Sequence, residues 1–189
     1  MKVLIVSAGY VPGFRFGGPV QSLSALVDQL GDEIEFVVVT SDRDLGESEP
    51  YPGIDRDVWT RVGKARVMYA SSGRWSPLFW KRIVADERPD VIYLNSFFSR
   101  DSISVRLWHR LRLLGTAPVL LAPRGEFSPG ALGIKRRKKD LFMRLSVALG
   151  LQDGLFWQAS ATKEREEIRS KVRAGSGDIL MAPPVQAQR

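Results

Sequence analysis

Seven short apolar runs that do not alternate with polar residues constrain this chain more than any other feature. They are Val3 to Val6, Glu35 to Thr40, Ala65 to Ala70, Val91 to Leu94, Pro118 to Ala122, Leu155 to Ala159 and Ile179 to Ala182. A strand with one wet face alternates apolar with polar side chains, whereas a strand buried on both faces reads as a continuous apolar run, the pattern of parallel sheets. Between the runs lie stretches of helical spacing, so the rhythm is strand then helix, repeating at roughly 25 residues. That rhythm predicts a doubly wound, mainly parallel α/β sheet of about seven strands with helices on both faces, built from one domain. Residues 43–63 break it with a polar surface excursion, read as carrying a minor hairpin into Ala65.

Several helices announce themselves locally. Ser76-Pro77 is a cap followed by a proline in the first turn, and the helix it opens ends at Arg88-Pro89. Asp101 or Ser102 is the expected cap of the next, in which Ile103, Leu107, Leu111 and Leu114 share one face and Arg106, Arg110 and Arg112 take others. A later helix carries Leu141, Phe142, Leu145, Ala148 and Leu149 on one side, and Thr162 is the expected cap of a helix with Glu164, Glu166 and Glu167 near its positive end.

Composition removes whole classes of chemistry. The chain has no cysteine, which excludes disulfides, thiolate metal sites and Cys nucleophiles. It has a single histidine, His109, read as a helix-surface residue, so most His-based triads and metal sites go too. No run approaches the length of a membrane-spanning helix and no signal peptide is evident, which predicts a cytoplasmic protein. The formal net charge is +7, from 28 basic and 21 acidic residues. Six of the basic residues lie between Lys135 and Arg144 against Asp140 alone, a local excess of +5. Lys135, Arg136, Arg137, Lys138 and Lys139 therefore form either a solvated helix face or a surface for an anionic partner, and beside the leucines they suit a helix resting on anionic lipid.

The first strand opens into a loop of about ten residues, longer than a turn requires, with glycines at 9, 13, 17 and 18. A dinucleotide fingerprint needs G-x-G-x-x-G against the strand, and this spacing fails it. Neither a G-x-x-x-x-G-K-[ST] phosphate loop nor a G-x-S-x-G elbow is present. Gly17-Gly18 ahead of Pro19 would let a backbone approach a diphosphate at a helix N-terminus, or the pair simply makes a turn.

Three separated stretches carry a resemblance. The first strand with Gly17-Gly18-Pro19-Val20-Gln21-Ser22-Leu23 is similar to the N-terminal domain of glycosyltransferase family 4. The stretches from Asp90 to Phe98 and from Ala122 to Leu132 resemble a bacterial subgroup of that family. The resemblance covers residues 1 to about 185, read as a Rossmann-like, acceptor-side domain, with 186–189 the start of a linker or the end of the expressed piece. It implies a partner domain of the same type across a cleft, holding most of the nucleotide sugar; that domain and its E-x7-E motif are absent here. It further implies sugar transfer with retention, no cofactor, no bound metal, a nucleotide-sugar donor and a glycan or lipid-linked acceptor. By position, Gly17 and Gly18 would approach the donor diphosphate, while Asn95, Ser96, Arg124 and Glu126 would line the acceptor side. Arg124 and Glu126 alternatively pair with each other at the sheet edge. The family's histidine after the fourth strand is replaced by Asn95 to Phe98, so no catalytic residue is assigned. Such a half enzyme is expected to be inactive alone, at the inner face of the membrane if its basic helix binds lipid. The rival reading is a non-catalytic module attaching to anionic membrane or nucleic acid through that helix. Nucleic acid is not expected, because Phe97, Phe98 and Phe127 lie near the loops without a binding motif to organise them.

Overall fold

The structure is a computed structural model, and it describes residues 1–71, 76–172 and 179–185. The apolar runs form the expected strands: β1 (Lys2–Ser7), β2 (Glu35–Ser41), β4 (Ala65–Ala70), β5 (Val91–Asn95), β6 (Val119–Ala122), β7 (Phe156–Ala159) and β8 (Ile179–Met181). An eighth, β3 (Trp59–Val62), is the first arm of the anticipated hairpin and pairs antiparallel with β4. The sheet runs β3-β4-β2-β1-β5-β6-β7-β8, with every neighbouring pair parallel except β3 with β4. Strand order reverses direction between β1 and β5, which is where open α/β sheets place a ligand crevice.

The helices are α1 (Gly18–Leu30), α2 (Pro77–Glu87), α3 (Arg100–Arg110), the single turn α4 (Pro129–Gly133), α5 (Arg136–Ala148) and α6 (Thr162–Lys171). They divide unevenly. One core joins Leu4, Val37, Leu94 and Trp157 of the sheet to Trp80 of α2, Val105 of α3 and Ile168 of α6, with Phe142 and Met143 of α5 against it. The opposite core joins Ile5, Val38 and Tyr93 to Leu23 and Val27 of α1 alone among the helices. Beyond the reach of α1, Phe156 on β7 and Leu180 on β8 are 40% and 49% exposed.

Local readings of three helices need correction. Ser99, not Asp101 or Ser102, caps α3, accepting from the Ser102 N–H at 3.2 Å. Of the apolar face read for that helix, Leu114 is buried and Ile103 and Leu107 are partly buried, but Leu111, just past its end, is 55% exposed while Arg106 is 1% exposed. On α5, Leu141, Leu145 and Leu149 are 60%, 47% and 57% exposed, and the packed residues are Phe142 and Met143. On α5 the helix is rolled so that Phe142, in contact with the Phe97 and Phe98 rings, rather than the leucine stripe, turns inward. For α6 the cap position falls at Ala161, with Thr162 already in the first turn and no side-chain cap. His109 lies on α3, half-buried, its Nε2 3.1 Å from the Ala117 carbonyl. Residues 186–189, read as a linker start, lie outside the described residues.

Candidate functional site

Ser7 of β1 is in register with Asn95 of β5, and Asn95 with Ala122 of β6, so three strand ends finish at one level. Side chains alternate along a strand. Ile92 and Leu94 point into the multi-helix core, so Tyr93 and Asn95 point to the α1 side, the side on which the glycine loop rises.

That loop is built on packing and one carboxylate. A Cβ on Gly9 would sit 2.2 Å from the Phe16 ring, and one on Gly13 2.3 Å from the Tyr51 hydroxyl, so both glycines are demanded by the loop's own folding. Asp44, 7% exposed, accepts from the N–H groups of Phe14 at 2.9 Å, Arg15 at 3.2 Å and Leu45 at 2.8 Å. Burial pushes its carboxyl up, but these three backbone donors outweigh burial and hold it below the usual carboxylate range. Tyr69 donates to the Val11 carbonyl from below. At the loop's end, by contrast, a Cβ on Gly17 or Gly18 would meet nothing within 4 Å. Gly17 caps α1 at φ 68°, without a side-chain hydrogen bond; Pro19 has no N–H and the Val20 N–H donates to the Gly17 carbonyl at 3.1 Å, which leaves the Gly18 N–H as the first-turn donor for an outside partner.

The turns after β5 and β6 carry the second group of residues at the strand ends. Arg124, at φ 56°, donates from Nε to Asn95 Oδ1 at 3.0 Å and from Nη2 to the Tyr93 hydroxyl at 2.9 Å. Tyr93 in turn donates to Gln158 Oε1, and Gln158 Nε2 to the Ala182 carbonyl at 2.9 Å. Burial pushes the Tyr93 phenol up, with Arg124 opposing it. Arg124 does not pair with Glu126. Glu126 instead accepts from Ser96 Oγ at 2.7 Å, from the Phe97 N–H and from the Phe98 N–H at 3.3 Å, binding the turn after β5. Its carboxyl is pushed above the ordinary range by burial, with those donors opposing. Ser96 sits at φ 125°, an uncommon conformation that this clamp fixes.

Beneath the turn lies an arginine that the sequence places on a solvent face. Arg106 donates from Nη2 to the Phe97 carbonyl at 2.6 Å and from Nε to the Ser102 carbonyl at 3.2 Å, and its guanidinium lies 4.3 Å from the centre of the Phe97 ring. Burial pushes its pKa down to about 9, partly opposed by Glu126. The Phe97 peptide is thus gripped by a carboxylate at its N–H and a cation at its C=O. Phe97 and Phe127 are 0% and 2% exposed, so they are core residues and offer no stacking surface to a base.

Of the residues read as a site, Asn95, Ser96, Arg124 and Glu126 come together, and Gly17-Gly18 stand on the same face and end of the sheet. The basic cluster begins with Lys135 at the cap of α5, on its own surface. Lys139 is engaged there, donating to the Ala131 carbonyl at 2.6 Å and lying 4.9 Å from the Phe98 ring centre. Sequence reasoning missed Tyr93 and Gln158, although a hydroxyl and an amide inside apolar strands are themselves a signal. It missed Glu164 as well, whose carboxylate accepts from the Gly125 and Ser160 N–H groups at 2.7 Å each. Among the described residues no three acidic or histidine side chains gather as metal ligands would, and no helix is long and apolar enough to cross a membrane.

No family model matches the chain, and no curated protein matches it. Solved structures that it resembles include UDP-GlcNAc 2-epimerase from Neisseria meningitidis bound to UDP-GlcNAc, at 14% identity and a TM-score of 0.46, covering 95% of this chain and 45% of that one. Two Bordetella bronchiseptica enzymes are also similar. WbmG in complex with NAD matches at 14% identity and a TM-score of 0.38, over 65% of this chain and 37% of that one. WbmH in complex with NAD+ matches at 12% identity and a TM-score of 0.39, over 84% of this chain and 55% of that one. The chain thus spans 37% to 55% of the length of these structures, and the likeness is one of α/β fold class only.

Proposed function

We propose that the chain is the acceptor-binding half of a retaining glycosyltransferase, moving a sugar from a nucleotide sugar to a glycan or lipid-linked acceptor. One observation carries the reading. A helix N-terminus with two unobstructed glycines and a half-buried arginine without a carboxylate partner stand on the same side of the same strand ends. In this reading the backbone at Gly17 and Gly18 closes over a diphosphate held mostly by a second α/β domain, and Arg124 with Asn95 receives the acceptor. Glu126 and Ser96 shape the turn, with both Glu126 oxygens accepting hydrogen bonds from it. The test is transfer from nucleotide sugars with and without a donor-binding domain. Residues 1–189 alone should give no turnover and no tight nucleoside diphosphate binding; turnover by this chain alone overturns the reading.

A second reading adds a lipid surface. Leu141, Leu145 and Leu149 stand exposed on a helix whose first turn holds four cations and no acid. Cations at the positive end of a helix are unfavourable unless an anion meets them. Anionic vesicles should float the protein, and charge reversal at Lys135, Arg136, Arg137 and Lys138 or a Leu145→Asp change should abolish this. Flotation that survives both excludes the helix as anchor.

A further inference from the structure

The surroundings of Arg124 are short of acceptors. Glu126 Oε1 is taken by Ser96 Oγ and Oε2 by two backbone N–H groups. Glu164 Oε1 is taken by the Gly125 N–H and Oε2 by the N–H and hydroxyl of Ser160. The Tyr93 hydroxyl gives its proton to Gln158. Both neighbouring carboxylates are engaged by the turns, and among the described residues neither is hydrogen-bonded to the Arg124 guanidinium.

Donors, in contrast, are in surplus. A guanidinium carries five N–H bonds, and Arg124 uses Nε and Nη2, leaving Nη1 without a protein acceptor. Asn95 is 4% exposed, and its Nδ2 is buried without any acceptor. Its Oδ1 is the very atom that holds Arg124 Nε, so the orphan amide adjoins the guanidinium. A buried amide without an acceptor costs stability, as does a half-buried cation without a counter-charge.

We infer that Arg124 and Asn95 form a binding site for an anionic oxygen group, a phosphate or a carboxylate, carried by the acceptor. The Nη1 end of the planar guanidinium supplies charged donors to such a group, and Asn95 orients the guanidinium through its Oδ1. The anion site stands on these residues alone; that its ligand is the acceptor rests on the transferase reading above. Glu126 and Glu164 hold the site's walls and do not touch the ligand.

The experiment is a titration of the 189-residue chain with inorganic phosphate at constant ionic strength, read at the backbone N–H resonance of Gly125 and repeated on two variants. Arg124→Gln removes the charge. Asn95→Asp keeps the shape, places a carboxylate on Arg124 Nε and removes the amide donor, so it closes the site while preserving the fold. Saturable phosphate binding in the wild type, weakened at least tenfold in both variants, is expected. A wild-type resonance that phosphate does not move, or an Asn95→Asp protein that binds within tenfold of wild type, overturns the proposal. Methyl phosphate against acetate then decides which group the site prefers, either preference being a form of the site inferred. Phosphate binding together with an enzyme that transfers no sugar would reject the transferase reading and leave the anion site standing.

Discussion

The two loop groups at the strand ends are fixed by the same device and left open in different ways. In each, a partly or fully buried carboxylate accepts backbone N–H bonds and sets the loop: Asp44 for the rise after β1, Glu126 for the turn after β5. What each group offers differs. The first ends in Gly17 and Gly18, which offer backbone and space; the second ends in Arg124, which offers charge, held by Asn95. Carboxylates here organise structure, so the residues free to bind are those that make the fewest internal bonds.

The largest test of that contrast is Glu126→Ala. It strips acceptors from Ser96, Phe97 and Phe98 and leaves Arg106 more isolated in the core, and should cost about 3–5 kcal/mol in urea denaturation. Gly9→Ala comes next: its new methyl must displace the Phe16 ring, at about 1–3 kcal/mol, with the β1–α1 loop the first region to lose hydrogen-exchange protection. Gly18→Ala should change stability by less than about 1 kcal/mol, because its Cβ enters open space. In a transferase carrying the donor domain the same methyl should still raise KM for the nucleotide sugar, which separates a binding glycine from a folding one.

The carboxylates also predict opposite pH behaviour. Asp44 titrates below its unfolded value, so its contribution is present above the ordinary Asp range and is lost as pH falls through the lowered folded pKa. Glu126 titrates above its unfolded value, so the fold gains when it is protonated and loses stability as pH rises from the unfolded pKa of 4.5 through the raised one. Asp44→Asn should flatten the acid-side loss, and Glu126→Gln should flatten the loss above it. Denaturation midpoints between pH 3 and 7 check both.

Much of this was legible in the chain. Non-alternating runs such as Phe36 to Val39 gave away a sheet buried on both faces, and the hairpin before Ala65 followed from the polar excursion. The cluster of Asn95, Ser96, Arg124 and Glu126 was implied by the resemblance, which did not say which carboxylate served which donor. Helix roll was illegible: Leu141, Leu145 and Leu149 carry ideal spacing, yet the aromatic group of Phe97, Phe98 and Phe142 decided which side of α5 turns inward. Arg106 was misread for the same reason, since an arginine inside is stable only where a carbonyl and rings await it, and Phe97 supplies both.

The central claim is that Arg124 and Asn95 bind while the carboxylates fold. Thermal unfolding of wild type, Glu126→Gln and Asn95→Asp with and without inorganic phosphate tests it most directly. Phosphate should raise the midpoint of wild type and of Glu126→Gln, whose starting midpoint is lower, and should leave that of Asn95→Asp unmoved while Asn95→Asp alone is at least as stable as wild type. Equal phosphate stabilisation in Asn95→Asp, or its loss in Glu126→Gln with Asn95→Asp unaffected, would contradict the account.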